Sequence, residues 1–451
     1  MPPPTREQVL DALRRVKDPD LGRDIVSLEF IKELSISDDA LSVTIELTTP
    51  ACPMKDRMRA QAEQALKALP GVKRVEVKMT AQTVGRRVEA EDLLKGVKNV
   101  VAVGSGKGGV GKSTVCVHLA LSLVRAGAAV GILDADIYGP TIPGMLGLKD
   151  RPAADAQGRA IPPQALGIKA MSVGMLVGGD TPTIWRGPIA SRLLQQFLGA
   201  VDWGELDYLF LDLPPGTGDV QLTLAQSAPL NGAVIVTTPQ DVALKIARKG
   251  LRMFQQVNVP IAGIIENMSG YVCPSCGARH DIFGRGGGRR VAQELGVPFL
   301  GAIPLDPELV PAGDSGKPLV GSAADSPTAR AFLEAAQAMA AQLSIVNLLE
   351  SNPQLRPREI RLTGQTPPSI LWDDDVTLVY DPYELRWACP CAACNEELTG
   401  RSLIHEGDIP VDVGIESARP VGRYGLNIAF TDGHATGIYT FDLLRRLGKS
   451  I

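Results

Sequence analysis

The sequence predicts an α/β protein. A mostly parallel central sheet carries helices on both faces, with a small α+β unit before it and a small strand-rich unit after it. Three observations carry this expectation. Between Asn99 and about Leu343, six apolar runs alternate with helical stretches: VVAVGS, AVGILDAD, DYLFLDL, GAVIVTT, IAGIIEN and FLGAIPL. The runs are continuous, as strands covered on both faces require. LSVTIEL (41–47) and VKRVEVKM (72–79) instead alternate, as half-buried strands do.

Taken in order, residues 1–85 form the α+β unit: a helix over Arg6–Val16, the two alternating strands, and a second helix over Met54–Leu69 between them. A charged linker over 86–98 leads into the central α/β domain, 99–345. A polar stretch with two prolines, LLESNPQLRPR, makes 346–358 a second linker. Residues 359–451 are the strand-rich unit.

Composition narrows the function classes. Lys and Arg number 46 against 50 Asp and Glu, for a net charge of -4, which argues against a bulk polyanion binder. Aromatics are only 4%, so a stacking platform for single-stranded nucleic acid is not expected. No apolar run reaches the roughly 18 residues of a membrane span, and no apolar segment follows the Pro-rich start. The expected address is cytoplasmic, with neither nucleic acid nor membrane as partner. Five of the seven cysteines fall in two tight clusters, which in a reducing compartment read as metal or redox sites.

The strand VVAVGS runs into Gly106-Lys107-Gly108-Gly109-Val110-Gly111-Lys112-Ser113-Thr114 and then a helix. This is G-x-x-x-x-G-K-[ST] between strand and helix, the context of a phosphate-binding loop. Glycines let backbone N–H groups close around phosphate oxygens, and the helix N-terminus adds its dipole. Lys112 should reach the β- and γ-phosphates and the Ser113 hydroxyl should ligate Mg²⁺. Asp134, Asp136 and Asp212 stand at strand C-termini, which face the ligand crevice of open α/β sheets. Asp212 fits the role of holding Mg²⁺ or its water. Asp134 or Asp136 orients the attacking water or a metal-bound water, or caps the following turn.

Cys273-Pro-Ser-Cys276 offers two thiolates, whereas iron–sulfur clusters and structural zinc usually need four. A two-fold homodimer supplies the missing pair, for either a [4Fe–4S] cluster or a Cys₄ zinc. A redox dithiol is the third reading. His280 follows closely and could complete a zinc site within the chain. Cys389-Pro-Cys391-Ala-Ala-Cys394 supplies three thiolates in six residues. One imidazole, from His405 or His434, would close a Cys₃His zinc site; an iron–sulfur cluster on the three thiolates is the alternative.

Several segments together resemble the Mrp/ApbC group of P-loop ATPases, iron–sulfur cluster carriers of the deviant-Walker-A class. They are GKGGVGKST (106–114), LDADIYGPT (133–141), WRGP (185–188), DYLFLDLPPGTGD (207–219), IIENMSGYVCPSCG (264–277) and HDIFGRGGG (280–288), spanning about 180 residues in one order. DPDLGRDIVSLEFI (18–31) and LTTPACPMKD (47–56) resemble the small SufT-like domain often fused ahead of such proteins. LWDDDVTLVYDPYELRWACPCAAC (371–394) and ESARPVGRYGLNIAFTDGHATGIYTFDLL (416–444) resemble the small domain found N-terminal to γ-butyrobetaine hydroxylase.

The resemblance implies a homodimeric ATPase that receives a [4Fe–4S] cluster from a donor and passes it to apo-proteins. It implies that Lys107 reaches the partner's phosphates and that Asn267 contacts the adenine. It favours a bridging cluster at Cys273 and Cys276, and His434 as the fourth zinc ligand. Cys52 is then a transient cluster ligand or a buried structural cysteine. Two other functions share the phosphate loop. A spatial-organising ATPase of the kind that positions division or plasmid machinery lacks the C-x-x-C. A non-catalytic client adaptor has no need of Lys112, Ser113 and Asp212.

Overall fold

The computed structural model describes residues 3–18, 23–37, 40–85, 94–137, 139–175, 193–194, 197–216, 218–273, 276–364, 367–391, 394–395, 402–405, 407–421 and 425–450. The WRGP segment, 185–188, and most of the 86–98 linker lie outside them. Contacts divide the chain into two compact units, Met1–Asp18 with Arg23–Ser344, and Ile345–Ile451.

Within the first unit, α1 (Arg6–Leu13), β1 (Ile31–Ile36), β2 (Ala40–Leu47), α2 (Lys55–Lys67) and β3 (Arg74–Ala81) come first. Strand β2 is central, antiparallel to β1 and parallel to β3. The expected alternation is what buries it: Leu41, Val43, Ile45 and Leu47 turn inward, as do Met58, Ala62 and Leu66 of α2 at helical spacing. Thr5 caps α1 in a reciprocal box with Gln8.

Next come β4 (Val97–Ser105), α3 (Lys112–Arg125), β5 (Val130–Asp134), α4 (Ile142–Met145), β6 (Gln164–Ala165), β7 (Ile168–Ser172), β8 (Leu206–Asp212) and α5 (Asp219–Ser227). They are followed by β9 (Gly232–Thr237), α6 (Asp241–Gln256), β10 (Ile261–Glu266), the short strands β11 (Tyr271–Val272) and β12 (Arg279–His280), α7 (Gly287–Leu295) and β13 (Phe299–Ala302). Helices α8 (Leu309–Asp314), α9 (Leu319–Ser322) and α10 (Pro327–Ser351) complete the series. One eight-stranded sheet runs in the order β6-β7-β5-β8-β4-β9-β10-β13. All its pairings are parallel except the β6–β7 hairpin. Strand β4 shows why the runs are apolar throughout. Val101 and Val103 join the core that holds α3 and α10, while Val100 and Ala102 join the core under α6 and α7. The expected central fold is therefore present, with β4 carrying the phosphate loop at its C-terminal end.

Helix α10 extends to Ser351, and a 3₁₀ turn at Pro353–Leu355 precedes the strand β14 (Pro357–Arg361). The stretch read as a second linker, 346–358, is thus largely regular structure. Its prolines sit past the helix end, where a missing N–H costs little.

The second unit adds β15 (Ser369–Trp372), β16 (Thr377–Val379), α11 (Pro382–Trp387), β17 (Ile415–Val421), β18 (Gly425–Phe430), β19 (Gly437–Thr440), α12 (Phe441–Leu447) and β20 (Lys449–Ser450). They form two antiparallel sheets, β14-β15-β16-β20 and β17-β18-β19. Trp372, Leu378, Tyr380, Leu426, Ile428, Phe430, Tyr439 and Leu444 are buried in a shared core.

Candidate functional site

The phosphate loop is built by local necessity. Gly111 closes it at φ 80, a left-handed conformation that favours glycine, and a Cβ there would collide with Asn267 Nδ2. Helix α3 starts at the next residue, so its free N–H groups point into the loop. Lys107, Gly108, Gly109, Gly111, Lys112, Ser113 and Thr114 line a cavity of about 770 Å³ whose far walls include Asp136, Met145, Pro215, Leu309 and Asp314. Gly106 and Val110 are buried behind it.

Lys112 and Asp212 are both buried, and Lys112 Nζ lies 2.8 Å from Asp212 Oδ1. The Ser113 hydroxyl donates to Asp212 Oδ2 at 2.6 Å. Burial pushes the Asp212 carboxyl up, and the Lys112 ammonium and Ser113 hydroxyl act against that rise. Hard oxygen donors converging beside a phosphate loop fit Mg²⁺.

Register sets Asp134 of β5 directly beside Asp212 of β8. Its two oxygens are taken by backbone N–H groups of Asp136 at 3.2 Å, Thr141 at 3.1 Å and Ile142 at 3.2 Å. Asp134 thus caps the loop into α4 and does not line the cavity, whereas half-buried Asp136 does. Burial, with the neighbouring Asp212 charge, lifts the Asp134 carboxyl to about 7. Lys107 is half-buried, and its carbonyl accepts from Ser105 Oγ at 3.1 Å. Asn267, just past β10, turns its Nδ2 onto the Val110 carbonyl at 2.9 Å.

Six residues beyond Asn267 the chain reaches Cys273, at the turn of the two-stranded ribbon β11–β12. Cys273 is half-buried and Cys276 exposed. The Gly277 N–H donates to the Cys273 carbonyl at 2.8 Å. Among the described residues no third His, Cys, Asp or Glu closes on this pair within its own chain, and His280 is exposed. Among the described residues, Cys52 joins no group of three such ligand atoms with it. The Cys52 loop is anchored by Thr49, whose hydroxyl meets the buried Tyr208 hydroxyl at 3.0 Å near the start of β8.

In the second unit, Cys389, Cys391, Cys394 and His434 place their ligand atoms within 4.8 Å of one another. Asp381 caps α11 and aims its end at Cys389, while the β18–β19 turn presents His434. His434 Nε2 lies 3.2, 3.5 and 3.6 Å from the three sulfurs. Tetrahedral zinc with ordinary Zn–S and Zn–N bonds sets that edge at about 3.6 Å, so the donor set fits zinc. Burial pushes the Cys389 thiol up to about 12. Burial also raises Cys391, but hydrogen bonds from Thr436, Cys394 and Cys389 outweigh it and bring that thiol down to about 6. His405 is exposed and stands apart.

Sequence reading misses two supporting residues. Arg386 donates to Cys394 Sγ at 3.5 Å and to Asp432 at 2.7 Å, and Asp432 accepts from the His434 N–H at 3.0 Å. Glu266 is fully buried at the end of β10. A charge closing an otherwise apolar strand is its signal; Arg386 has none, because Asp432 lies 46 residues away.

A phosphate loop on a parallel sheet, with its lysine and serine against a strand-end aspartate, defines a P-loop nucleotide hydrolase. Within that class, the model of the NUBPL iron-transfer P-loop NTPases matches residues 96–340, and the chain belongs to that family. Residues 6–79 match an iron–sulfur cluster assembly protein model, and 365–445 a γ-butyrobetaine hydroxylase-like N-terminal model. An iron-sulfur cluster carrier protein of Synechocystis is 48% identical over 76% of this chain and 99% of its own. The chloroplastic Fe-S cluster assembly factor HCF101 of Oryza sativa is 40% identical over 99% of this chain and 83% of its own. A nucleotide-binding protein from Archaeoglobus fulgidus, solved with ADP, is 41% identical over 55% of this chain and 98% of its own, with a TM-score of 0.48.

Proposed function

We propose that this protein is an ATP-hydrolysing carrier that receives an iron–sulfur cluster and delivers it to apo-proteins. The observation that carries the reading is the Cys273–Cys276 pair: an exposed ribbon offering two thiolates, six residues after a side chain bonded to the phosphate loop. Family membership and the relatives' names support it.

The cluster is cargo. A homodimer brings four thiolates, two from each chain, around a [4Fe–4S] cluster. A site with half its ligands on each chain and an exposed cysteine releases its cargo readily. Cys52, half-buried on its own loop, is a transient ligand during hand-over from donor or to client.

For hydrolysis, Ser113 and Asp212 would hold Mg²⁺, which neutralises charge developing on the phosphates when bound. Lys112 leaves Asp212 for the β- and γ-phosphates. Backbone N–H groups of Gly106–Thr114 cradle the phosphate oxygens, and Asp136 faces the cavity where water attacks. Lys107 reaches the partner's nucleotide, and Asn267, bonded to the Val110 carbonyl, contacts the adenine. Cys389, Cys391, Cys394 and His434 would hold zinc, which stabilises the second unit without taking part in hydrolysis. No helix among the described residues is long and apolar enough to cross a membrane.

Anaerobic reconstitution tests the reading. Iron should saturate near four atoms per dimer, the content of one [4Fe–4S] cluster. Cys273→Ala and Cys276→Ala should each abolish stable loading while ATP binding persists. A full cluster in the double variant would overturn it.

A further inference from the structure

Strand β10 reads Ile-Ala-Gly-Ile-Ile before it ends in Glu266. A carboxylate with no exposed surface is costly unless several donors reach it. Glu266 has three. Its Oε1 accepts from the Ser269 hydroxyl at 2.5 Å and from the Gly286 N–H at 2.8 Å, and its Oε2 accepts from the Gly288 N–H at 2.5 Å. Ser269 lies just before the ribbon that bears Cys273 and Cys276. Gly286 and Gly288 lie just after it, at the start of α7. Both ends of the ribbon excursion therefore hang on one carboxylate. A Cβ at Gly288 would sit 3.0 Å from Glu266 Cβ, so this close approach needs glycine.

The next residue faces the other way. Asn267 Nδ2 holds the Val110 carbonyl of the phosphate loop, and its N–H donates to the Thr237 carbonyl at 2.8 Å. Between the two attachments stands Met268 at φ 57, a left-handed conformation that a methionine adopts only when its surroundings impose it. The Ser269 N–H is fixed in turn to the Ile303 carbonyl at 2.8 Å. One four-residue segment thus grips the phosphate loop through Asn267 and the far end of the ribbon through Glu266, with the Ser269 hydroxyl tying the near end to the same carboxylate.

We propose that Glu266 and Ser269 are positioning residues that couple the Cys273–Cys276 ribbon to the phosphate loop through Asn267. Phosphate entering the loop disturbs the Val110 carbonyl that Asn267 holds. A segment pinned on both sides passes the shift to the ribbon rather than absorbing it. The functional meaning rests on Cys273 and Cys276 being the cluster ligands, and nucleotide occupancy then changes how those thiolates are presented.

The test uses the full chain, reduced and free of iron–sulfur cluster. Alkylation of Cys276 by iodoacetamide is followed by mass spectrometry with and without Mg-ATP. In the wild type the rate should change by about threefold or more, the population shift that one net hydrogen bond supports. Ser269→Ala removes a donor from Glu266, and Glu266→Gln replaces an acceptor of three donors with an amide. Both should bind a fluorescent ATP analogue as the wild type does, yet lose the nucleotide-dependent change in alkylation. Should Glu266→Gln fail to fold, Ser269→Ala decides alone. A wild-type rate indifferent to Mg-ATP, or an undiminished response in Ser269→Ala, overturns the coupling. Neither result touches the cluster reading, which the iron content of the reconstituted dimer decides.

Discussion

Replacing Lys112 by Ala should remove more than hydrolysis. Its ammonium is 2.8 Å from Asp212 Oδ1, and the two side chains are 6% and 0% exposed. Deleting one member of a buried pair costs about 3–5 kcal/mol, because the other charge is left without its counter-ion. Only the Ser113 hydroxyl would remain on Asp212 from that pair of contacts. At urea slopes of about 3 kcal/mol/M the unfolding midpoint should fall by roughly 1 M or more. The loss should depend on pH. Lys112 holds the Asp212 carboxyl down against burial, so its removal raises that group further above 3.8 in the folded state. The folded form then binds the extra proton, and stability falls as pH rises through that window. Lys112→Ala should therefore be less destabilised at pH 5 than at pH 8. Adding Asp212→Asn removes the stranded charge and should recover part of the loss, without restoring ATPase activity, which Lys112→Ala takes to background. Urea titration of the four proteins, with phosphate release measured in parallel, completes the cycle. If Lys112→Ala unfolds with the wild type, or the double variant is no more stable than the single, the buried pair does not do what its geometry implies.

Two further outcomes follow from particular contacts. His118 is buried against Phe332, with its Nδ1 on the Thr114 carbonyl at 2.7 Å and its Nε2 accepting from the Leu319 N–H at 3.2 Å. Burial lowers it from 6.5 to about 4. The unfolded chain binds the proton first, so about 3 kcal/mol of stability should be present above pH 6.5 and lost by pH 4; His118→Gln should flatten that part of the unfolding profile, and an unchanged slope would reject the assignment. Cys394→Ala should lose about one zinc per chain, as a closed four-ligand site requires, and leave Ile345–Ile451 open to protease, whereas unchanged zinc content would dismiss the site.

Much of this protein is local, and local chemistry is legible in a sequence. GKGGVGKST needs its glycines, lysine and serine in one contiguous loop, because phosphate is bound mostly by consecutive backbone N–H groups. The parallel strands are legible because both faces of each are covered, which removes polar alternation. CPSC and CPCAAC announce thiolate chemistry by spacing alone. Contacts across many residues are a different matter. Asp134 and Asp136 are equivalent on the page, two carboxylates in a four-residue run; only the fold spends one on backbone N–H groups and leaves the other facing the cavity. Thr49 meets Tyr208 from 159 residues away, and Arg386 meets Asp432 from 46. Glu266 stands in the sequence as one polar residue after an apolar run, with no mark that both ends of a cysteine ribbon return to it. A sequence records which groups can donate, accept or carry charge. Which of them share a desolvated space, where those capacities become strong, is set by strand order and loop closure in three dimensions.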